Sequence, residues 1–321
     1  MRAVVYDRFG PPEVLKLTEL PKPTPGDREL LIRVRATTVT AADWRCRSKI
    51  VPPGYGLAAG FFLGFRKPKF PILGTQLSGE IEAVGKGVTR FKVGDQVFAY
   101  SALSMGCHAE YKCLPEDGAV VLKPANLSHE VAASLAFGGT TALAYYRGGG
   151  LKAGDQVLVN GASGDVGTAA IQLGKHFGAV VTGVCSTANL ELVKSLGADA
   201  VIDYTREDFT RSGRSYDLIM DNAGTAPFAL CRGSLKKGGR LLLVIGSVGD
   251  MLRPAWVALT SDKRIVVSNR WTVDDLRLLA SLAESGRYRP VIDRTYPLAE
   301  IVEAHRYVDA GHKKGNVVIV V

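Results

Sequence analysis

The sequence predicts an α/β protein in two parts: a strand-rich, barrel-like N-terminal region followed by a doubly wound parallel sheet. Three observations carry that expectation. Up to about residue 125 the chain alternates short apolar and polar runs with Gly and Pro punctuation. After Pro124 the rhythm changes to strand, helix, strand. The junction from Asn160 to Gly167 then sets a glycine-rich turn between a wholly apolar strand and an amphipathic helix.

In the first part, strands are expected at 2–6, 29–38, 77–84, 96–100, 109–114 and 119–122, in antiparallel array. The stretch 46–71 departs from this with two bulky apolar clusters among glycines and prolines, and is expected to form an irregular loop walling a pocket. In the second part, 156–160 is a short apolar run with no polar face, the mark of a strand buried on both sides. Val166, Ala170, Leu173 and Phe177 recur at helical spacing, and Gly178 stands where a C-terminal cap belongs. Further strands are expected at 180–185, 200–203, 217–221, 240–245 and 265–268, with helices at 190–196, 228–235 and 274–284. A last helix, 298–308, and a last strand, 317–321, find no seventh place in that sheet and are expected to return to the first part.

Composition narrows the function. A chain of 321 residues has room for two domains of roughly 100–200 residues each. Its 46% hydrophobic and 22% charged residues exclude a disordered or collagen-like chain. The longest strongly apolar stretch, 57–65, is interrupted by Gly60 and Gly64 and falls short of the roughly 18 residues that span a bilayer, so no membrane partner is expected. The start, Met1 to Tyr6, alternates into a strand without the regions of a signal peptide, and the expected address is the cytoplasm. Five cysteines with no C-x-x-C pair argue against a disulfide scaffold or zinc ribbon. Forty basic against 31 acidic residues give +9, but the basic residues are scattered and form no dense tract with interleaved aromatics. That charge fits a solvated surface or an anionic small molecule, and nucleic acid is not an expected partner.

The turn itself reads as A-x-G-x-x-G from Ala162. Gly164 falls where backbone must approach a pyrophosphate closely, and Gly167 where helix meets strand. Ser163, Gly164, Asp165, Val166 and Gly167 are therefore the phosphate-binding candidates, with the exposed amides of the helix N-terminus as donors. About 20 residues on, an acid would bond the ribose 2′-hydroxyl of NAD. The segment 184–189 has none before Glu191. Ser186, Thr187 and Asn189 offer neutral donors instead, with Arg206 or Lys194 as a source of positive charge, so NADP(H) is the expected cofactor. Ser186 and Thr187 also suit capping of the helix at Leu190.

These motifs resemble the medium-chain dehydrogenase/reductase superfamily, in its zinc-free quinone oxidoreductase branch. The likeness rests on 85–97 (GKGVTRFKVGDQV), the turn at 161–167, 195–199 (SLGAD) with 201–204 (VIDY), and 314–318 (KGNVV). It implies a GroES-like β-barrel catalytic domain, 1–124 completed by 292–321, a Rossmann NAD(P)-binding domain, 125–291, a cleft active site and a homodimer. It further implies that Thr141 and Ile245-Gly246-Ser247 line the nicotinamide, that Asn222 borders the ribose, that Tyr204 reaches the 2′-phosphate, and that Asn316 joins the cofactor set. Relatives of this family often carry a Lys or Arg after the Ser of the second strand, where Ala188 and Asn189 stand here, and an Asn where Thr40 stands.

Zinc-using relatives hold the metal with a Cys three residues before an Asp, a G-H-E motif and a later Cys. Those positions resemble Thr40 before Asp43, Gly74-Thr75-Gln76, and Phe137. Threonine and phenylalanine cannot stand in for thiolate and imidazole. Cys107 and His108, adjacent on an extended segment, point to opposite faces and do not make a ligand pair. Without a Lewis acid, an isolated ketone loses oxyanion stabilisation and a conjugated acceptor suffers least. The expected activity is hydride transfer from NADPH to a quinone, enone or 2-alkenal, with Thr40, Asp43 and Tyr55 as candidates near the substrate; Asp43 equally suits ordering its own loop. Two alternatives stand beside it: a nucleotide-binding module for RNA or protein contact, whose support is the +9 charge, and an alcohol or aldehyde dehydrogenase of the same superfamily.

Overall fold

The computed structural model describes residues 1–267 and 270–321. The chain divides into two compact units: Met1–Val51, Gly56–Phe137 and Thr272–Val321 make the first, Pro52–Tyr55 and Gly138–Trp271 the second. These divisions fall at 137/138 and 271/272, not at 124/125 and 291/292, because helix Val273–Glu284 packs against Val120–Leu122 of the first unit.

The first unit is built on the long strand Glu29–Val39, which pairs antiparallel with Gln76–Val84, with Asn316–Val320 and, over its first half, with Tyr111–Pro115. The sheet continues through Gln96–Tyr100 to Val120–Leu122, and Ile292–Pro297 lies parallel to Asn316–Val320. The C-terminal strand thus returns to the first part of the chain as expected, with Val317 opposite Val39. Alternation supplies the core: Leu30, Ile32 and Val34 meet Leu77, Ile81 and Val97.

The stretch 46–71 is not the irregular loop expected. Helix Ala41–Ser48 opens on a capping box between Thr40 and Asp43, and closes on Lys49 in the left-handed conformation. A second helix, Gly56–Leu63, buries Ala59, Gly60 and Leu63. Its sequence, GLAAGFFL, is apolar on every side, so no polar face marks a period that could be read.

Among the described residues of the second unit, six parallel strands form one sheet. Strands Gln156–Asn160, Val180–Cys185 and Ala200–Asp203 run outward one way from the centre; Tyr216–Asp221, Leu235–Leu243 and Arg264–Val266 run outward the other. This is the doubly wound order of dinucleotide-binding sheets, whose ligand crevice lies where the winding reverses. The edge strand ends before the expected residue Ser268, which lies outside the described residues. Two helices of this part of the chain also escaped the sequence reading. Ala136–Gly149 carries glycines at its start, and Val248–Thr260 contains Pro254.

Candidate active site

At the winding reversal, strands Gln156–Asn160 and Tyr216–Asp221 end side by side on Asn160 and Asp221. The Asn160 side-chain amide donates to Asp221 at 2.8 Å and to Thr225 Oγ1 at 2.8 Å. The buried Asp221 carboxylate also accepts from the amides of Ala223, Gly224 and Ala226 at 3.1, 3.0 and 2.8 Å. It thereby sets the turn that carries Asn222, whose side-chain amide is shielded from solvent with neither polar atom partnered. An unfilled polar group in such a crevice suits a polar ligand, which is where the ribose contact was expected. Sequence reasoning missed Asn160 and Asp221 as the frame of the site; both are polar residues ending apolar strands, and that was the available signal.

The two glycines of the turn differ in what requires them. A Cβ on Gly167 would lie 2.1 Å from the Gly161 carbonyl oxygen, so close helix-strand packing demands glycine there. A Cβ on Gly164 would meet nothing nearer than 3.7 Å. Gly164 is also the N-cap of helix Asp165–His176, with no side chain capping it. Protein packing therefore does not explain Gly164, whereas a ligand seated against the first turn of the helix does. The residues present fit a dinucleotide. Helix Ala136–Gly149, which carries Thr141, comes close to this turn: a Cβ on Gly138 would lie 2.2 Å from Asp165 Oδ1.

Beside the end of strand Val180–Cys185, the structure joins some of the expected 2′-phosphate residues and turns another away. Asn189 donates to Ser163 Oγ at 3.1 Å and to Ser186 Oγ at 3.2 Å, so it braces the pocket and has no second donor to offer. Ser186 accepts and keeps its own proton. Thr187 instead donates to Asp203 at 2.5 Å, and Asp203 also accepts from the amide and hydroxyl of Thr205 at 3.0 and 2.7 Å. These hydrogen bonds, with Thr187 the strongest, hold the Asp203 carboxyl below its ordinary range. Tyr204 is exposed, and its amide bonds Cys185 O at 3.1 Å. Arg206 Nε stands 3.6 Å from Asp203.

After strand Leu235–Leu243, Ile245-Gly246-Ser247 leads into helix Val248–Thr260. Ser247 donates to Asp250 at 2.7 Å and accepts its amide at 3.2 Å, a reciprocal cap that fixes the segment. Tyr55 belongs to the same unit, on the short segment Pro52–Tyr55 that the Val248 amide holds through Pro53 O at 3.2 Å. Burial, then the Asp250 carboxylate, raises the Tyr55 phenol above its ordinary value.

Thr40 and Asp43 lie in the first unit and are both buried. Asp43 Oδ2 accepts from the Thr40 amide at 2.8 Å and hydroxyl at 2.6 Å, while Oδ1 accepts from the Gly74 amide at 2.8 Å. The pair therefore positions the Gly74-Thr75 loop. Asn316, on the C-terminal strand, donates to Val291 O at 3.1 Å and keeps a buried carbonyl oxygen without partner.

Zinc does not fit this unit. The Thr40 hydroxyl is committed to Asp43, and Gln76 donates to Thr38 Oγ1 at 2.7 Å while accepting the Phe137 amide at 2.7 Å. Among the described residues no group of three or more His, Cys, Asp or Glu side chains is arranged to hold a metal ion. Cys107 and His108 are both buried, with His108 Nε2 3.0 Å from Thr38 O. Gln76 was missed as a keystone because a lone Gln in a strand carries no distinguishing pattern.

Residues 26–125 match the family model for the alcohol dehydrogenase GroES-like domain, and 196–319 match the model for zinc-binding dehydrogenase. A chloroplastic quinone-oxidoreductase of Triphysaria versicolor is 33% identical over 334 residues, covering 99% of this chain and 98% of that protein. A chloroplastic NADPH-dependent alkenal/one oxidoreductase of Arabidopsis thaliana is 32% identical over 331 residues, covering 99% and 79%. The solved quinone oxidoreductase of Coxiella burnetii superposes with a TM-score of 0.88 at 31% identity, covering 100% of this chain and 99% of that one. The cytoplasmic address expected from the sequence is overturned by these likenesses, since the curated relatives include chloroplastic and mitochondrial oxidoreductases. With a GroES-like and a Rossmann-like part and this likeness over its whole length, the chain belongs to the medium-chain dehydrogenase/reductase superfamily, as an oxidoreductase of its zinc-free, quinone-oxidoreductase-like branch.

Proposed function

We propose that the protein reduces conjugated acceptors, namely quinones, enones or 2-alkenals, with NADPH, and works as a homodimer. The observation that carries this reading is the chemistry at the positions where zinc relatives place ligands: Thr40, its hydroxyl committed to Asp43, with Thr75 and Phe137, offers neither thiolate nor imidazole nor cation. An acceptor bound there must spread its own developing charge, and conjugation does so. Bound NADPH supplies the hydride from C4 of its nicotinamide. The protein's share is positioning: the amides of Asp165 and Val166 take the diphosphate, Asn222 the ribose, and Thr141 with Ile245-Gly246-Ser247 the nicotinamide. Ser186, Tyr204 and Arg206 take the 2′-phosphate, with Thr187 and Asn189 shaping that pocket and Asn316 completing the set. Thr40 and Asp43 hold the Gly74-Thr75 loop, and Tyr55, whose phenol stays protonated at neutral pH, offers the proton.

The names of relatives support this reading, two being quinone and alkenal/one oxidoreductases and one of them NADPH-dependent. The test is kcat/KM for a quinone, a 2-alkenal and a matched saturated aldehyde, each with NADPH and with NADH. The conjugated substrates with NADPH are expected to lead. A saturated aldehyde that equals them would show an activating group in the site and sink the proposal.

A further inference from the structure

Helix Gly56–Leu63 turns Ala59, Gly60 and Leu63 inward and leaves an equally apolar face outward. Leu57 is 69% exposed, Phe61 64% and Phe65 56%, with Phe62 and the nearby Ile50 also exposed. These side chains form a built surface. Phe61 and Phe65 meet edge to face at 5.1 Å, and Phe62 packs on Phe70 at 5.5 Å. A Cβ on Gly60 would strike the Phe65 ring at 2.5 Å, so that glycine lets the ring fold back over the helix.

Cations frame this face. Lys49 donates to Phe65 O at 2.8 Å, and Lys69 donates to Phe61 O at 2.5 Å, tying two ammonium groups to the aromatic edge. Arg66 and Lys67, both exposed, follow Phe65 directly. From residue 44 to residue 79 the sequence holds six basic residues and no acidic one. Arg47, the buried member of the six, is neutralised by Asp309 at 2.6 Å. The other five cations have no carboxylate in their own stretch of chain to offset them.

Exposed aromatic and aliphatic side chains ringed by uncompensated cations are the chemistry of a surface that lies on anionic lipid, with the rings in the acyl boundary and the cations among phosphates. We propose that the outer face of Gly56–Phe65, framed by Lys49, Arg66, Lys67 and Lys69, docks on an anionic bilayer surface. Among the described residues no helix is long and apolar enough to cross a membrane, and a docked face does not need that length. A second copy of the same face would bring like charges together, which disfavours self-pairing. The inference stands apart from the identity of the hydride acceptor, although apolar quinones partition into such a bilayer.

The full chain is to be sedimented with vesicles of phosphatidylcholine alone and of phosphatidylcholine and phosphatidylglycerol in equal parts, at low and high salt. Binding to the anionic vesicles, weakened by salt, is expected. Phe61→Ser with Phe65→Ser, and separately Arg66→Glu with Lys67→Glu, should each lower the apparent affinity about tenfold or more. An unchanged thermal midpoint and NADPH affinity would show each variant folded. Equal binding to both vesicle types, no binding to either, or variants that bind as the parent does would overturn the proposal. So would sedimentation velocity in which the Phe pair converts a dimer to a monomer, since a second copy would then cover the face.

Discussion

Thr187 donates its hydroxyl proton to Asp203 at 2.5 Å, which places a fixed carboxylate beside the end of strand Val180–Cys185, the place proposed above for the 2′ substituent of the dinucleotide. Asp203 pairs in register with Cys185, so it reaches the site from the neighbouring strand and not along the second strand, where an acid was sought. A negative charge there opposes a 2′-phosphate, and Arg206 at 3.6 Å, largely exposed, offsets it in part.

The cofactor preference should therefore respond to this one charge. Asp203→Asn keeps the Thr187 and Thr205 hydrogen-bonding geometry within reach while removing the charge. It should raise the ratio of NADPH to NADH affinity by roughly three- to tenfold, measured by equilibrium fluorescence titration. Ser186→Asp should lower the same ratio. An unchanged ratio in Asp203→Asn would mean that the 2′ substituent lies out of range of Asp203.

The two glycines of the phosphate turn should separate stability from binding. Gly167→Ala forces a Cβ to within 2.1 Å of the Gly161 oxygen and should cost about 1–3 kcal/mol in urea unfolding. Gly164→Ala has room for its methyl group inside the protein. It should leave the unfolding midpoint nearly unchanged and weaken cofactor binding, because the methyl group fills the space the diphosphate needs. Similar losses of stability in both would contradict the division of roles.

How much of this was legible in the sequence depended on whether a single stretch carried its own signal. The parallel strands announced themselves because burial on both faces leaves an unbroken apolar run, as at Gln156–Asn160. The glycine-rich turn did so because its glycines have fixed offsets. Helix Gly56–Leu63 was hidden because it has no polar face, and Val248–Thr260 because Pro254 sits within it. Asp203 and Asp221 act through strands distant in sequence, Asp203 beside Cys185 and Asp221 beside Asn160. No local pattern reveals a carboxylate whose partners are set by sheet order.

A buried histidine makes stability fall on mild acidification. His305, in helix Ile301–Asp309, is fully buried, with its ring 5.7 Å from that of His108 in edge contact and neither ring nitrogen hydrogen-bonded. Burial foremost, then His108 and Arg47, lowers its pKa well below the ordinary value, so it is neutral in the fold. Unfolded, it takes up a proton near pH 6.5. Between that value and its depressed folded pKa the unfolded chain binds more protons, so stability declines as pH drops below about 6.5. His129 is shifted in the same direction, also by burial, and adds to the slope. Denaturant unfolding from pH 7 to pH 5 should therefore show a shallower loss in His305→Gln than in the parent, and equal slopes would assign the effect elsewhere.

The Asp43 carboxylate should matter through the loop it holds. Asp43→Asn keeps the size of the side chain but leaves one of the Thr40 or Gly74 donors facing an amide nitrogen. With those groups buried, the loss should be about 1–3 kcal/mol of stability. Thr40→Ala, which removes one side of the capping box, should cost about 1 kcal/mol. A double variant that costs less than the sum would confirm that the two act on one another, and strict additivity would contradict the box.

Tyr55 gives the sharpest test of the proposed chemistry, because the two kinds of acceptor need its proton unequally. Hydride addition to a 2-alkenal leaves an enolate, a strong base that must be protonated before the product can leave. Hydride addition to a quinone leaves a hydroquinone anion, whose charge is spread over the ring and which water can protonate after release. A phenol raised above its ordinary value by burial and by Asp250 stays protonated through neutral pH and can serve the first reaction. Tyr55→Phe keeps the ring and removes the proton. It should lower kcat for the 2-alkenal by about a hundredfold while lowering kcat for the quinone only a few-fold, with KM for NADPH unchanged. In the parent, alkenal turnover should not fall with pH until the phenol itself ionises, above its ordinary value of about 10. Equal losses for both acceptors would mean that Tyr55 shapes the pocket without donating, and no loss for either would remove it from the site.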